Sequence, residues 1–138
     1  TIMDNLTIEA NLSKKSRITS DIILRPVDRF KLINPTNIIV LDPPAFAKHL
    51  DKKHKAVQGY KRLNAHALRQ IKPGGILFTF SCSQVINKDL FQHTIVAASI
   101  ESGRKVKILH QLHQPADHPI GAFHPEGEYL KGLVLYVE

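Results

Sequence analysis

The sequence has a single cysteine, Cys82, so an internal disulfide is excluded and a reducing, cytoplasmic home is the plain expectation. No apolar run approaches the roughly 20 residues that a membrane span requires. The first ten residues lack a basic start followed by an apolar stretch, so they do not read as a signal peptide. Position 1 is Thr1 rather than an initiator Met, which points to a trimmed or partial chain. No G-x-G-x-x-G or P-loop motif occurs, and Gly74-Gly75 reads as a turn rather than a phosphate cradle. There is no internal repeat and no low-complexity tract.

What is present is one domain's worth of chain. Its 138 residues are 43% hydrophobic and 22% charged, enough for a real core. The formal charge is +7, and a basic balance in a small domain favours a polyanionic partner such as nucleic acid. The bland alternative is a protein that is merely basic. Between Lys48 and Arg62 lie Lys52, Lys53, Lys55 and Lys61 against one acid, Asp51. This stretch reads either as a track for a phosphate backbone or as a solvated loop. Eight histidines invite a metal hypothesis. His110, His113, His118 and His124 have no cysteine beside them and fit no standard zinc spacing, so no metal is expected.

Residues 1–36 carry few signals; 4–12 suggests a short helix and 17–24 a strand. From Asn37 the pattern sharpens. Residues 37–41 form a short apolar, β-branched run stopped by Asp42-Pro43-Pro44, as suits a buried parallel strand. Residues 57–71 read as a helix with Tyr60, Leu63, Ala67 and Ile71 on one face. Lys72-Pro73-Gly74-Gly75 is a helix stop and tight turn. A second buried strand covers 75–80 and ends at Ser81-Cys82-Ser83. A helix over 87–102 has the apolar face Leu90, Phe91, Ile95, Val96 and Ile100, and is closed by Gly103. Residues 105–112 alternate like a strand, 114–128 must be a loop, and 130–137 is a last strand. This strand-helix alternation predicts an α/β layer with right-handed crossovers, ending in an antiparallel hairpin at one edge.

In open α/β sheets, chemistry sits at the carboxyl ends of the strands. Two such ends carry unusual tips here. Asp42 offers a carboxylate that can bond an exocyclic amine or a protonated ring nitrogen, and its prolines hold the turn rigid for a flipped base. Against this stands an ordinary turn aspartate. Cys82, at a strand mouth between two serines, is a candidate nucleophile if its pKa is lowered. Against this stands a small buried hydrophobe.

Taken together, IIVLDPPAFAK (38–48), GYKRLNAHALRQIKPGGILFTFSCS (59–83) and ADHPIGAFHPEGEYLKGLVLYV (116–137) resemble one family. It is the RNA cytosine-5 methyltransferases that act on large-subunit (23S) ribosomal RNA. The resemblance implies a Rossmann-like class I methyltransferase fold, S-adenosyl-L-methionine (SAM) as cofactor and ribosomal RNA as partner. It implies that Cys82 is the nucleophile and Asp42 the base-recognising acid. Pro43, Pro44, Phe46, Lys48, Ser81 and Ser83 would surround the substrate. Asp42 and Pro43 would border the cofactor, with Asp28 resembling the acid that contacts its adenine. The family's glycine-rich SAM loop and ribose-binding acid are not found in residues 1–36. The chain therefore reads as one incomplete methyltransferase domain, its sheet flanked by helices. An incomplete sheet leaves a sticky flank, which predicts a homodimer or poor solubility. Two alternatives stand beside this reading: an exocyclic-amine methyltransferase in which Cys82 is structural, and a basic RNA-binding module without chemistry.

Overall fold

The computed structural model describes residues 36–138. The expected helix over 4–12, the expected strand over 17–24 and Asp28 lie outside the described residues. Four strands, β1 (Thr36–Leu41), β2 (Ile71–Ser81), β3 (Val106–Leu112) and β4 (Lys131–Val137), form one mixed sheet in the order β1-β2-β4-β3. Helix α1 (Lys53–Gln70) connects β1 to β2, and helix α2 (Lys88–Ser102) connects β2 to β3. β1 and β2 run parallel, while β4 runs antiparallel to both its neighbours. The terminal hairpin does lie at one edge, with the last strand inside it and β3 outermost.

The pleat sorts side chains onto two faces. Ile39, Leu41, Leu77, Thr79, Leu133, Leu135 and Val137 are buried on the face that receives the helices. Tyr60, Leu63, Ala67 and Leu68 from α1, and Phe91, Ile95 and Ala98 from α2, complete this core. Fully burying a leucine such as Leu77 contributes roughly 1.5–3 kcal/mol. A buried polar pair fixes how α1 lies on the sheet: Thr79 Oγ1 donates to Asn64 Oδ1 at 2.7 Å, and Asn64 Nδ2 donates to the Tyr60 carbonyl at 2.9 Å. The other face carries half-buried Ile38, Val40, Ile76, Phe78, Phe80 and Tyr136, and no described helix lies on it.

Three expectations need correction. Helix α1 begins at Lys53, not at residue 57. Its first turn holds no acid and its N-cap makes no side-chain hydrogen bond, so the usual start signals are missing. Part of the basic stretch is therefore helix rather than loop. Ile71 does not extend the apolar face of α1; it is the buried first residue of β2. Helix α1 ends just before it, with the Arg104 guanidinium capping the Leu68 and Ile71 carbonyls at 2.8 and 2.9 Å. Finally, Val96 and Ile100 are 47% and 77% exposed, and Thr94 and Ala98 take the inward positions instead.

The signals at the ends of α2 hold, whereas the tight turn expected at Lys72-Pro73-Gly74-Gly75 does not: these residues lie within β2, which begins at Ile71 and not at residue 75. Asn87 caps α2 by accepting from the Leu90 amide at 2.8 Å, and Gly103 closes it in the left-handed region at φ 71°. Lys72-Pro73-Gly74-Gly75 forms a bulge against β1, with Gly74 at φ 82°. β3 is exposed along most of its length because it is the outer strand.

Candidate functional site at the carboxyl ends of the parallel strands

β1 and β2 pair in parallel with Leu41 opposite Thr79. The residues that leave the two strands therefore emerge side by side. Asp42-Pro43 from β1 meets Ser81-Cys82-Ser83 from β2. Cys82 Sγ lies 3.9 Å from the Pro43 carbonyl oxygen, a distance at which a thiol is a weak donor. Ser83 Oγ donates to the Ala47 carbonyl at 2.5 Å, tying the second tip to the first. The Ser83 amide folds back onto Ser81 Oγ at 3.3 Å. Ser81 and Ser83 are both fully buried and serve as internal braces, whereas Cys82 between them is half-buried.

The electrostatics of this cleft are mutually unfavourable. Burial pushes the Asp42 carboxyl above its ordinary value. Asp42 makes no hydrogen bond or ion pair among the described residues, so it is an acceptor without a donor. Burial also pushes the Cys82 thiol up, and the nearby Asp42 carboxylate pushes it further. The Lys131 ammonium acts in the opposite direction on Cys82.

Of the remaining sequence candidates, Pro43 is buried and lies in the cleft, while Pro44 and Lys48 are exposed at its rim. Phe46 is engaged inward: its ring packs on Tyr60 with centroids 4.5 Å apart, and a Cβ on Gly59 would stand 3.0 Å from it. Phe46 thus props the Asp42 loop on α1. Two residues at the site escaped the sequence reading. Lys131 donates to the Ser83 and Tyr129 carbonyls, both at 2.7 Å. The fully buried Tyr60 hydroxyl lies against Ser81 yet outside hydrogen-bond geometry, and burial raises its pKa. A lysine opening the otherwise apolar strand LKGLVLYV was the signal for Lys131; Tyr60 gave none beyond its place on the apolar face of α1. Among the described residues, no group of His, Cys, Asp or Glu gathers as metal ligands, and no helix is long and apolar enough to cross a membrane.

No family model matches the chain. Solved structures do. An assigned methyltransferase crystallised with S-adenosylhomocysteine superposes with a TM-score of 0.60 at 18% identity, over 75% of this chain and 26% of that one. A Streptococcus mutans protein assigned as a SAM-dependent methyltransferase gives the same values. The fold is a partial Rossmann-like class I methyltransferase sheet. Among curated proteins, the ribosomal RNA large subunit methyltransferase I of Shewanella denitrificans is 39% identical over 138 residues, covering 95% of this chain and 35% of that protein. The protein of the same name from Shewanella amazonensis is 48% identical over 101 residues, covering 73% and 26%. The chain thus spans about a third or less of the length of these relatives.

Proposed function

We propose that this chain is the substrate-side part of a SAM-dependent methyltransferase that methylates C5 of a cytosine in large-subunit ribosomal RNA. The observation that carries the reading is the meeting of Asp42 and Cys82 at the ends of two adjacent parallel strands. The likeness to relatives named for ribosomal RNA methylation supports the substrate class.

The half-buried Asp42 carboxylate, without a partner among the described residues, suits the N3/N4 edge of a cytosine taken out of its stack. Cys82 attacks C6, and the ring electrons move to make C5 nucleophilic. SAM, when bound, supplies the methyl group as an electrophile, and Asp42 and Pro43 are the residues of this chain that would border it. Loss of the C5 proton and expulsion of Cys82 restore the aromatic ring. Asp42 has two effects on this course. It pairs with the N3/N4 edge, toward which electrons flow when C6 is attacked, and so meets the charge that develops there. By pairing with that edge it also ceases to oppose the Cys82 thiolate, so the nucleophile is released when the base arrives.

One observation favours a second reading. Burial and Asp42 together push the Cys82 thiol above its ordinary value, the direction that suits a purely structural cysteine. The site would then serve methylation of an exocyclic amine, with Asp42 as the acceptor. Cys82→Ala separates the two. Labelled-methyl transfer from SAM to large-subunit RNA falls by ~10³-fold or more if Cys82 forms the adduct. A near-normal rate with Cys82→Ala would sink the C5 reading and leave the exocyclic amine as target.

A further inference from the structure

Lys131 is the first residue of β4 and the ladder partner of Ser81, the residue before Cys82. It is only 7% exposed. A buried ammonium is costly unless its donors are satisfied. Here two of its three N–H groups go to backbone carbonyls, one of them that of Ser83, the residue after Cys82. Among the described residues no carboxylate shares the ammonium by hydrogen bond, and the nearby Glu128 is held at 2.5 Å by Lys88. Lys131 also lines a cavity of about 400 Å³ with Gln84, Asn87, Lys88 and Glu128, which gives it a route to solvent for proton exchange. Lys131 therefore brackets Cys82 from both sides in sequence and brings a positive charge to a tip whose other charged neighbour is Asp42.

We propose that Lys131 is a positioning residue for the Cys82 thiolate. It clamps the Ser81–Ser83 tip through the Ser83 carbonyl, and it supplies the cation that stabilises the thiolate once Asp42 is engaged by the base. The proposal rests on the reading of Cys82 as the nucleophile. The groups facing Cys82 are Asp42, Lys131 and the Tyr60 hydroxyl; those facing Lys131 are Cys82, Glu128 and Lys88. Burial lowers the pKa of Lys131, while the Cys82 thiolate and Glu128 act to raise it.

Because Cys82 is the single cysteine, its alkylation by iodoacetamide can be followed by intact mass across a pH series. Lys131→Met moves the midpoint of that profile upward and slows alkylation at pH 8 by about tenfold, the effect of one pKa unit. Lys131→Arg, which keeps the charge, stays near the parent profile. An unchanged midpoint in a folded Lys131→Met protein overturns the proposal. If that variant does not fold, the ¹⁵N resonance of the Lys131 ammonium is titrated in the parent and in Cys82→Ser. Coupling between the two groups is reciprocal, so losing the thiolate lowers the Lys131 midpoint. Identical titrations overturn the proposal equally. Methyl transfer that survives Cys82→Ala would instead remove the nucleophile reading, an outcome separate from the alkylation profile.

Discussion

A carboxylate with no hydrogen-bond or ion-pair partner among the described residues, at a half-buried strand end, is a cost that the free protein carries. Asp42 has its pKa raised by burial, so relative to the unfolded chain it disfavours folding once it is ionised. A carboxyl raised in the folded state contributes stability below its unfolded pKa, and that stability is lost as pH rises through the folded value. Asp42→Asn should therefore raise Tm at pH 7 and have little effect near pH 3, as read by thermal melts at the two values. The same substitution removes the charge that pushes Cys82 up, so iodoacetamide should label Cys82 several-fold faster at pH 8. A slower reaction would contradict the arrangement described here. Asp42 and Cys82 were legible in the sequence because each follows a short apolar run and interrupts it abruptly. Lys131 was not, because its place opposite Ser81 depends on the register of an antiparallel strand some fifty residues away, which no local pattern specifies.

At the scale of elements, the strands were read more accurately than the helix faces. Runs such as IIVL and ILFTF are apolar on both sides of the pleat, and turn chemistry bounds them clearly. In α2 the periodicity offered Val96 and Ile100 as core positions, but the helix rotates to bury Thr94 and Ala98 against α1 and the sheet. Close helix packing favours small residues there, and hydrophobicity alone does not show it. The bulge at the start of β2 is a sharper constraint. A Cβ on Gly75 would stand 2.8 Å from the Lys72 carbonyl oxygen and 2.9 Å from that of Asn37, both backbone atoms that cannot swing aside. Gly75→Ala should cost about 2 kcal/mol or more, a fall in Tm of roughly 10 °C by circular dichroism. A melt within a degree or two of the parent would mean that the β1–β2 junction is looser than described.

Over the whole molecule the formal charge is +7, and among the described residues one basic group stands out. Lys48, Lys52, Lys55 and Arg62 are exposed on and just before α1, while Lys61 is held at 3.1 Å by Glu101. If this side follows a phosphate backbone, RNA affinity falls steeply with salt, the logarithmic slope growing by about 0.7 for each single-strand phosphate neutralised. Lys52→Glu with Lys55→Glu should weaken binding to a large-subunit RNA segment and flatten that slope by roughly 1–2, measured by fluorescence anisotropy in increasing KCl. An unchanged slope would move the RNA track elsewhere. The overall architecture was legible because strand-helix alternation admits few topologies. That the described helices share one face of the sheet was not, since a face such as Ile38, Val40, Ile76 and Phe78 reads as buried whatever covers it.

The parallel pairing of β1 with β2 has a geometric consequence. Neighbouring strands stand about 4.8 Å apart, a spacing set by peptide hydrogen bonds and not by side chains. The gap between the Asp42 and Cys82 tips is thus measured by a ruler built from the backbone itself. Lengthening the surface connection around residues 48–52 leaves that ruler untouched. A single extra residue between Leu77 and Phe80 would turn Cys82 to the opposite face of the sheet and carry Ser81 and Ser83 with it, breaking the tie from Ser83 to the Ala47 carbonyl.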